Sequence, residues 1–215
     1  SSLMVLGFIV AAEVWDKLTQ TKNTAQTSRA GRKGFNLESH TVVTEDDYVL
    51  TYHRLSKKGS GGPDLSRWPI FLQHPLGASS AAWLVPSTEQ LAYVLVESGY
   101  DVWLGNSRGS RYSIGHKTLN NNGKEYWDFS LHEMAVFDLS AGVDYILKQY
   151  SEQMDKLLFV GHSHGAAQAL ILSTIRPHYQ AKLSGVLALA PAVYLTGLSN
   201  TSTTDQTTAR ETIDT

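Results

Sequence analysis

The sequence predicts an α/β fold built on a mainly parallel sheet with helices on both faces. Two observations carry this. Between Phe35 and Pro191, short apolar runs of strand character alternate with longer stretches of helical recurrence, the order in which parallel sheets are wound. One of those runs, Leu157 to Val160, leads straight into Gly161-His162-Ser163-His164-Gly165 and then into a helix-like stretch. Composition agrees with one globular domain, since 42% of the 215 residues are hydrophobic and 18% are charged. A formal net charge of -2 with no Lys/Arg-rich face argues against nucleic acid as a partner. There is no cysteine, which excludes disulfides and thiolate zinc sites.

Taken in order, residues 1–12 contain the apolar stretch Leu3 to Ala12, too short to cross a bilayer but of the length of a signal-peptide core. Val10 and Ala12 are small residues suited to precede a cleavage point, so a signal-peptide remnant is expected, with a buried strand or helix segment as the alternative. Residues 13–34 are polar and read as a spacer. The organised domain is expected over residues 35–195. "SHTVVTEDDYVLTYHRL" reads as two strands around the turn Glu45-Asp46-Asp47. "SKKGSGGPDLSRWP" is a surface loop that stops at the strand Ile70-Phe71-Leu72.

Helices and strands then alternate. Ser87 and Gln90 form a capping box before a helix that buries Leu91, Ala92, Val94 and Leu95, and Gly99 stands at its C-terminal cap. "YDVWLG" is a strand. Ser130 and Glu133 form a second capping box, ahead of one helix through Met134, Phe137, Val143, Ile146 and Leu147 to about Gln149. After the strand Leu157 to Val160, a helix is expected over Ala166 to Ile175, stopping before Pro177, and "GVLALAP" is the last apolar strand.

The stretch Gly161 to Gly165 has the pattern G-x-S-x-G in the strand-to-helix context that gives the pattern chemical meaning. Glycines on both sides allow a turn too sharp for side chains. Ser163 is left exposed above the sheet as a candidate nucleophile. The N–H groups at the start of the following helix favour the negative charge that develops in acyl transfer. His162 and His164 suggest a base or a metal pair. Both are expected to point away from Ser163 into the packing, and no third ligand follows nearby. His164 can still contribute its backbone N–H as one oxyanion donor. The second donor is expected in the loop "QHPLG", and because Pro75 has no N–H it is Leu76.

The strings "TVVTEDDYVLTYHRL", "FLQHPLGASSAAW", "LAYVLVESGYDVWLGNSRGSRYSIGHKTL", "EYWDFSLHEMAVFDLSAGVDYI" and "LLFVGHSHGAAQAL" together resemble the acid lipase family that includes the gastric and lysosomal lipases. The resemblance runs from about Phe35 to Tyr194 and implies an α/β-hydrolase fold. It implies Ser163 as nucleophile and Leu76 and His164 as oxyanion-hole residues. It further implies triacylglycerols or cholesteryl esters as substrates, met at a lipid–water interface, in a secreted or lysosomal protein that needs no metal or cofactor. Two positions depart from the family pattern, His164 in place of Gln and Pro75 in place of Gly. Pro75 stiffens the loop, and His164 is expected to add a group titrating near neutral pH.

A third departure is larger. In α/β-hydrolases the order is Ser, then Asp or Glu, then His. After Ser163 the histidines are His164 and His178, and no histidine follows Asp205 or Asp214. Residues 196–215 form a Thr/Ser-rich tail with the composition of disorder. The expectation is a partial domain whose last strands and lid are missing, with neither the acid nor the base of the triad in this chain. Among the upstream histidines His53, His74, His116 and His132, only His74 is expected close to Ser163. Three functions remain open: the N-terminal portion of a lipid-ester hydrolase, a non-catalytic relative that binds lipid or a partner, and a small-ester hydrolase without a lid. Oligomeric state is left open.

Overall fold

The computed structural model describes residues 34–59, 64, 66–84, 91–150 and 154–193. The expected signal-peptide remnant, nearly all of the spacer, the Ser87/Gln90 capping box and the Thr/Ser-rich tail lie outside these residues. Among the described residues seven strands form one sheet: β1 (Phe35–Val43), β2 (Tyr48–Lys57), β3 (Ile70–Gln73), β4 (Val102–Leu104), β5 (Gly115–His116), β6 (Leu157–His162) and β7 (Leu183–Leu189). Their order is β1-β2-β4-β3-β6-β7, with β5 beside β2.

The sheet is mixed. β4, β3, β6 and β7 run parallel. β1, β2 and β5 join antiparallel, because the acidic turn between β1 and β2 is too short for a crossover. Asp47 takes φ 69 there, and the Thr44 hydroxyl donates to Asp46 Oδ1 at 2.6 Å. Among the described residues β7 is an outer strand, paired with β6 alone, and Leu187 is 55% exposed.

The central strands are apolar on both faces because both faces are covered. Ile70, Leu72, Val102, Leu104 and Val160 pack with helix α1 (Leu91–Glu97). Phe71, Trp103 and Phe159 pack on the opposite side with Val143, Ile146 and Leu172. In α1 the buried residues are Ala92, Tyr93 and Val96, whereas Val94 is exposed, contrary to the expected face. Tyr93 decides this by packing on Phe35 at 4.9 Å between ring centroids. Gly99, at φ 88, ends α1 with its N–H on the Val96 carbonyl and that of Tyr100 on the Leu95 carbonyl.

The helix expected from the Ser130/Glu133 box does begin with that box, but it is not uniform. It runs as α2 (Leu131–Glu133), a π-helical stretch (Met134–Leu139) and α3 (Ser140–Lys148). Side chains take up carbonyls freed by the wide turn: the Ser140 hydroxyl donates to Val136 O at 2.5 Å and Tyr52 OH to Asp138 O at 2.9 Å. Beyond β6 comes α4 (His164–Ile175), which starts two residues earlier than expected because Ser163 alone makes the turn.

Candidate active site

Ser163 sits at φ 53 and ψ -112, a strained conformation for a residue with a side chain. Its flanking glycines are sterically required. A Cβ on Gly161 would lie 2.5 Å from Ala166 N, and one on Gly165 would lie 2.6 Å from Gln73 O and 2.7 Å from His74 O. Backbone hydrogen bonds hold the strained residue from both sides. The Ser163 N–H donates to Leu189 O at 2.8 Å, and the Ser163 carbonyl accepts from Ala166, Ala167 and Ala192 at 3.1, 3.2 and 3.3 Å. Ser163 stays half-exposed at the start of α4.

The close approach of Gly165 to Gln73 and His74 brings the loop after β3 against the first turn of α4. Leu76, on that loop, is 47% exposed. His74 beside it is buried, with Nδ1 2.8 Å from Pro75 O and Nε2 accepting the Ser107 N–H at 3.2 Å. Burial lowers its pKa to about 4, so the ring is neutral. Both of its nitrogens are committed, which excludes it as a base for Ser163.

His164 is buried as expected, but it does not titrate near neutrality. Burial, and then the neighbouring His74, lower its pKa to about 4. Gln168, one turn along α4, places Nε2 3.2 Å from His164 Nδ1 and donates to Ser107 Oγ at 3.2 Å, and Gln73 Nε2 donates to the same hydroxyl at 2.7 Å. His162, expected in the packing, is instead exposed at the end of β6.

The loop after β4 is fixed by a group that sequence reading missed. Arg108 is buried and bonds Asp138 through Nε at 2.7 Å and Asp46 through both terminal nitrogens at 2.6 and 2.8 Å. Its guanidinium also lies 3.8 Å from the Tyr48 ring centroid. Burial works against the Arg108 charge, but the attraction of Asp138 and the hydrogen bonds that Arg108 donates to both carboxylates outweigh it and raise its pKa. The string "NSRG" named the loop, yet nothing in its spacing pointed to Asp46 and Asp138.

Of the remaining upstream histidines, His40 Nδ1 lies 3.1 Å from the Tyr145 hydroxyl, His53 Nδ1 lies 2.7 Å from Ser80 Oγ, His116 Nε2 lies 3.0 Å from Asp46 O, and His132 is exposed on α2. Among the described residues no imidazole or carboxylate hydrogen-bonds Ser163 Oγ. An apolar groove runs beside α4, lined by Leu131, Ala167, Leu170, Ile171, Ile175 and Val193.

Family comparison bears on the whole arrangement. Residues 69–207 match the family model described as "alpha/beta hydrolase fold", which spans more than half of the chain. The chain belongs to the α/β-hydrolases. Residues 27–87 also match the model described as "partial alpha/beta-hydrolase lipase region". Similar proteins include Lipase 1 of Drosophila melanogaster, 44% identical over 162 residues, covering 75% of this chain and 35% of that protein. Human Lipase member K is 39% identical over 163 residues, covering 74% of this chain and 40% of its own length. The lysosomal acid lipase/cholesteryl ester hydrolase of Macaca fascicularis is 37% identical over 162 residues, with 74% and 40% covered. The chain thus spans 35% to 40% of the length of these relatives. Among solved structures, an esterase of Pyrococcus furiosus superposes with a TM-score of 0.54 at 22% identity, covering 85% of this chain and 56% of that one, a likeness of fold.

Proposed function

We propose that this chain is the nucleophile-bearing portion of a lipid-ester hydrolase acting by acyl transfer through Ser163. One observation carries the proposal: a half-exposed serine held at φ 53 and ψ -112 between two glycines that tolerate no Cβ. Strain of this kind persists only where the surroundings enforce it, and here it puts a hydroxyl at the start of a helix. Ser163 Oγ attacks the ester carbonyl carbon as a general base takes its proton. The carbonyl oxygen becomes an oxyanion that accepts hydrogen bonds from the Leu76 and His164 N–H groups; its collapse breaks the bond to the alcohol oxygen, which takes the proton from the base, and water then releases the acid from the acyl-serine. On this reading the general base and its acid come from polypeptide beyond the described residues. The relatives, of whose length the shared region makes up 35% to 40%, support that placement.

The names of the relatives support triacylglycerols or cholesteryl esters as the substrate class and a lysosomal location, with secretion as the alternative. Among the described residues no helix is long and apolar enough to cross a membrane. The non-catalytic alternative is favoured by one observation, the absence of a base on Ser163 Oγ among the described residues. Fluorophosphonate labelling separates the two. We expect slow labelling of this chain that is confined to Ser163 and abolished by Ser163→Ala. In a form that supplies the base, the same substitution should cost several orders of magnitude in turnover with the fold intact. Labelling elsewhere, or turnover surviving Ser163→Ala, rules out Ser163 as nucleophile.

A further inference from the structure

We infer that His74 is a positioning residue whose ring fixes the direction of the Leu76 N–H, an inference that rests on the oxyanion role given to Leu76 above. The Pro75 carbonyl and the Leu76 N–H belong to one peptide group. In a trans peptide they point in opposite directions, and every described peptide is trans. The Pro75 carbonyl is held from the inside by His74 Nδ1 at 2.8 Å and by the Ala78 N–H at 3.2 Å. The Leu76 N–H is therefore turned to the outer side, where Leu76 itself is exposed.

The ring can do this in one tautomer only. A carbonyl accepts, so Nδ1 must carry the proton; Nε2 is then bare, and it receives the Ser107 N–H at 3.2 Å. Two segments thus meet on one imidazole, the loop after β3 through Pro75 and the loop after β4 through Ser107, while the first turn of α4 presses on the backbone of the same residue, its Gly165 abutting the His74 carbonyl. The titratable neighbour is His164 on α4. Donation into the carbonyl polarises the peptide and strengthens its N–H as a donor. His74 touches no reacting atom; it acts through the peptide that does.

Asn and Gln separate this role from simple packing. Asn at position 74 places an amide nitrogen where Nδ1 stands and keeps the bond to Pro75 O, whereas Gln reaches the Nε2 position and keeps only the Ser107 contact. Both lose one hydrogen bond, so a merely structural role would treat them alike. We expect long-range nitrogen–proton spectra of the labelled 215-residue chain at neutral pH to show the Nδ1–H tautomer. We expect fluorophosphonate labelling of His74→Asn to stay within about threefold of the parent, and that of His74→Gln to fall about tenfold or more. An Nε2–H or doubly protonated ring overturns the inference, and so do equal rates in the two variants. If the parent chain does not label at all, the Ser163 reading fails by itself. The Leu76 amide resonance then decides: a shift in His74→Gln that is absent in His74→Asn supports the inference, and equal shifts overturn it.

Discussion

Arg108 and Asp138 meet in the interior with each side chain 1% exposed, Nε donating to one carboxylate oxygen at 2.7 Å and the Arg108 N–H to the other at 2.8 Å. Asp138→Ala would leave a buried guanidinium with Asp46 as its remaining carboxylate. The expected loss is about 3 to 5 kcal/mol of unfolding free energy, read from urea denaturation. Lys117→Ala is the control. It removes an exposed pair with Asp47 and should leave the midpoint almost unmoved. Equal effects of the two would mean that burial of the Arg108 pair does not govern its energy.

Gly165→Ala tests the junction beneath the serine. The new Cβ meets backbone oxygens, at 2.6 and 2.7 Å, which cannot swing aside as a flexible side chain would. We expect a loss of about 3 kcal/mol or more, or no soluble protein. A variant as stable as the parent would show that α4 does not press on the loop after β3.

These two sites also mark what was legible in the sequence. Gly161 to Gly165 could be read in advance because the constraint is local: strand, turn and helix are consecutive, and the glycines announce the crowding. The strands at 70–73, 102–104 and 157–162 and the hairpin at 35–57 were legible for the same reason, as runs of apolar or β-preferring residues between turn signals. Arg108 was not, because its partners lie 62 and 30 positions away and charge carries no period. The face of α1 was misjudged because Tyr93 answers to Phe35 on another element. Burial of His164 could be anticipated from the motif, but its effect on titration depends on how closely His74 and Gln168 surround it.

Acid should weaken this fold through its histidines. Burial lowers His53, His74 and His164 from 6.5 to about 4. Between those values the unfolded chain binds protons that the folded chain refuses. Stability is therefore fully present above pH 6.5 and falls as the pH drops toward 4, by about 1.4 kcal/mol per pH unit for each histidine. Asp138, which burial raises to about 6, works in the opposite direction over the same window, so His164→Gln should flatten the net slope by about one half. Urea midpoints that stay constant across the window would contradict the burial of all three rings.

The β7 edge carries a prediction about association. Val186 and Leu187 are 40% and 55% exposed on a strand whose outer side is unpaired among the described residues. Apolar edges of this kind template pairing with other chains. The isolated chain should elute from size-exclusion chromatography as concentration-dependent oligomers, and Leu187→Lys should shift it toward monomer. A monomer at all concentrations, indifferent to the substitution, would mean that the edge is covered.

The π-helical stretch at Met134–Leu139 acts as a phase shifter. A wide turn accommodates one extra residue, so whatever follows is rotated by about 100° relative to an uninterrupted α-helix. That offset lets one continuous rod serve two clients. Before the shift, Leu131 faces the groove beside α4; after it, Val143 and Ile146 face the sheet, and at the shift itself Asp138 meets Arg108. Deleting a single residue from the wide turn would give a more regular helix, with its two ends aimed out of step.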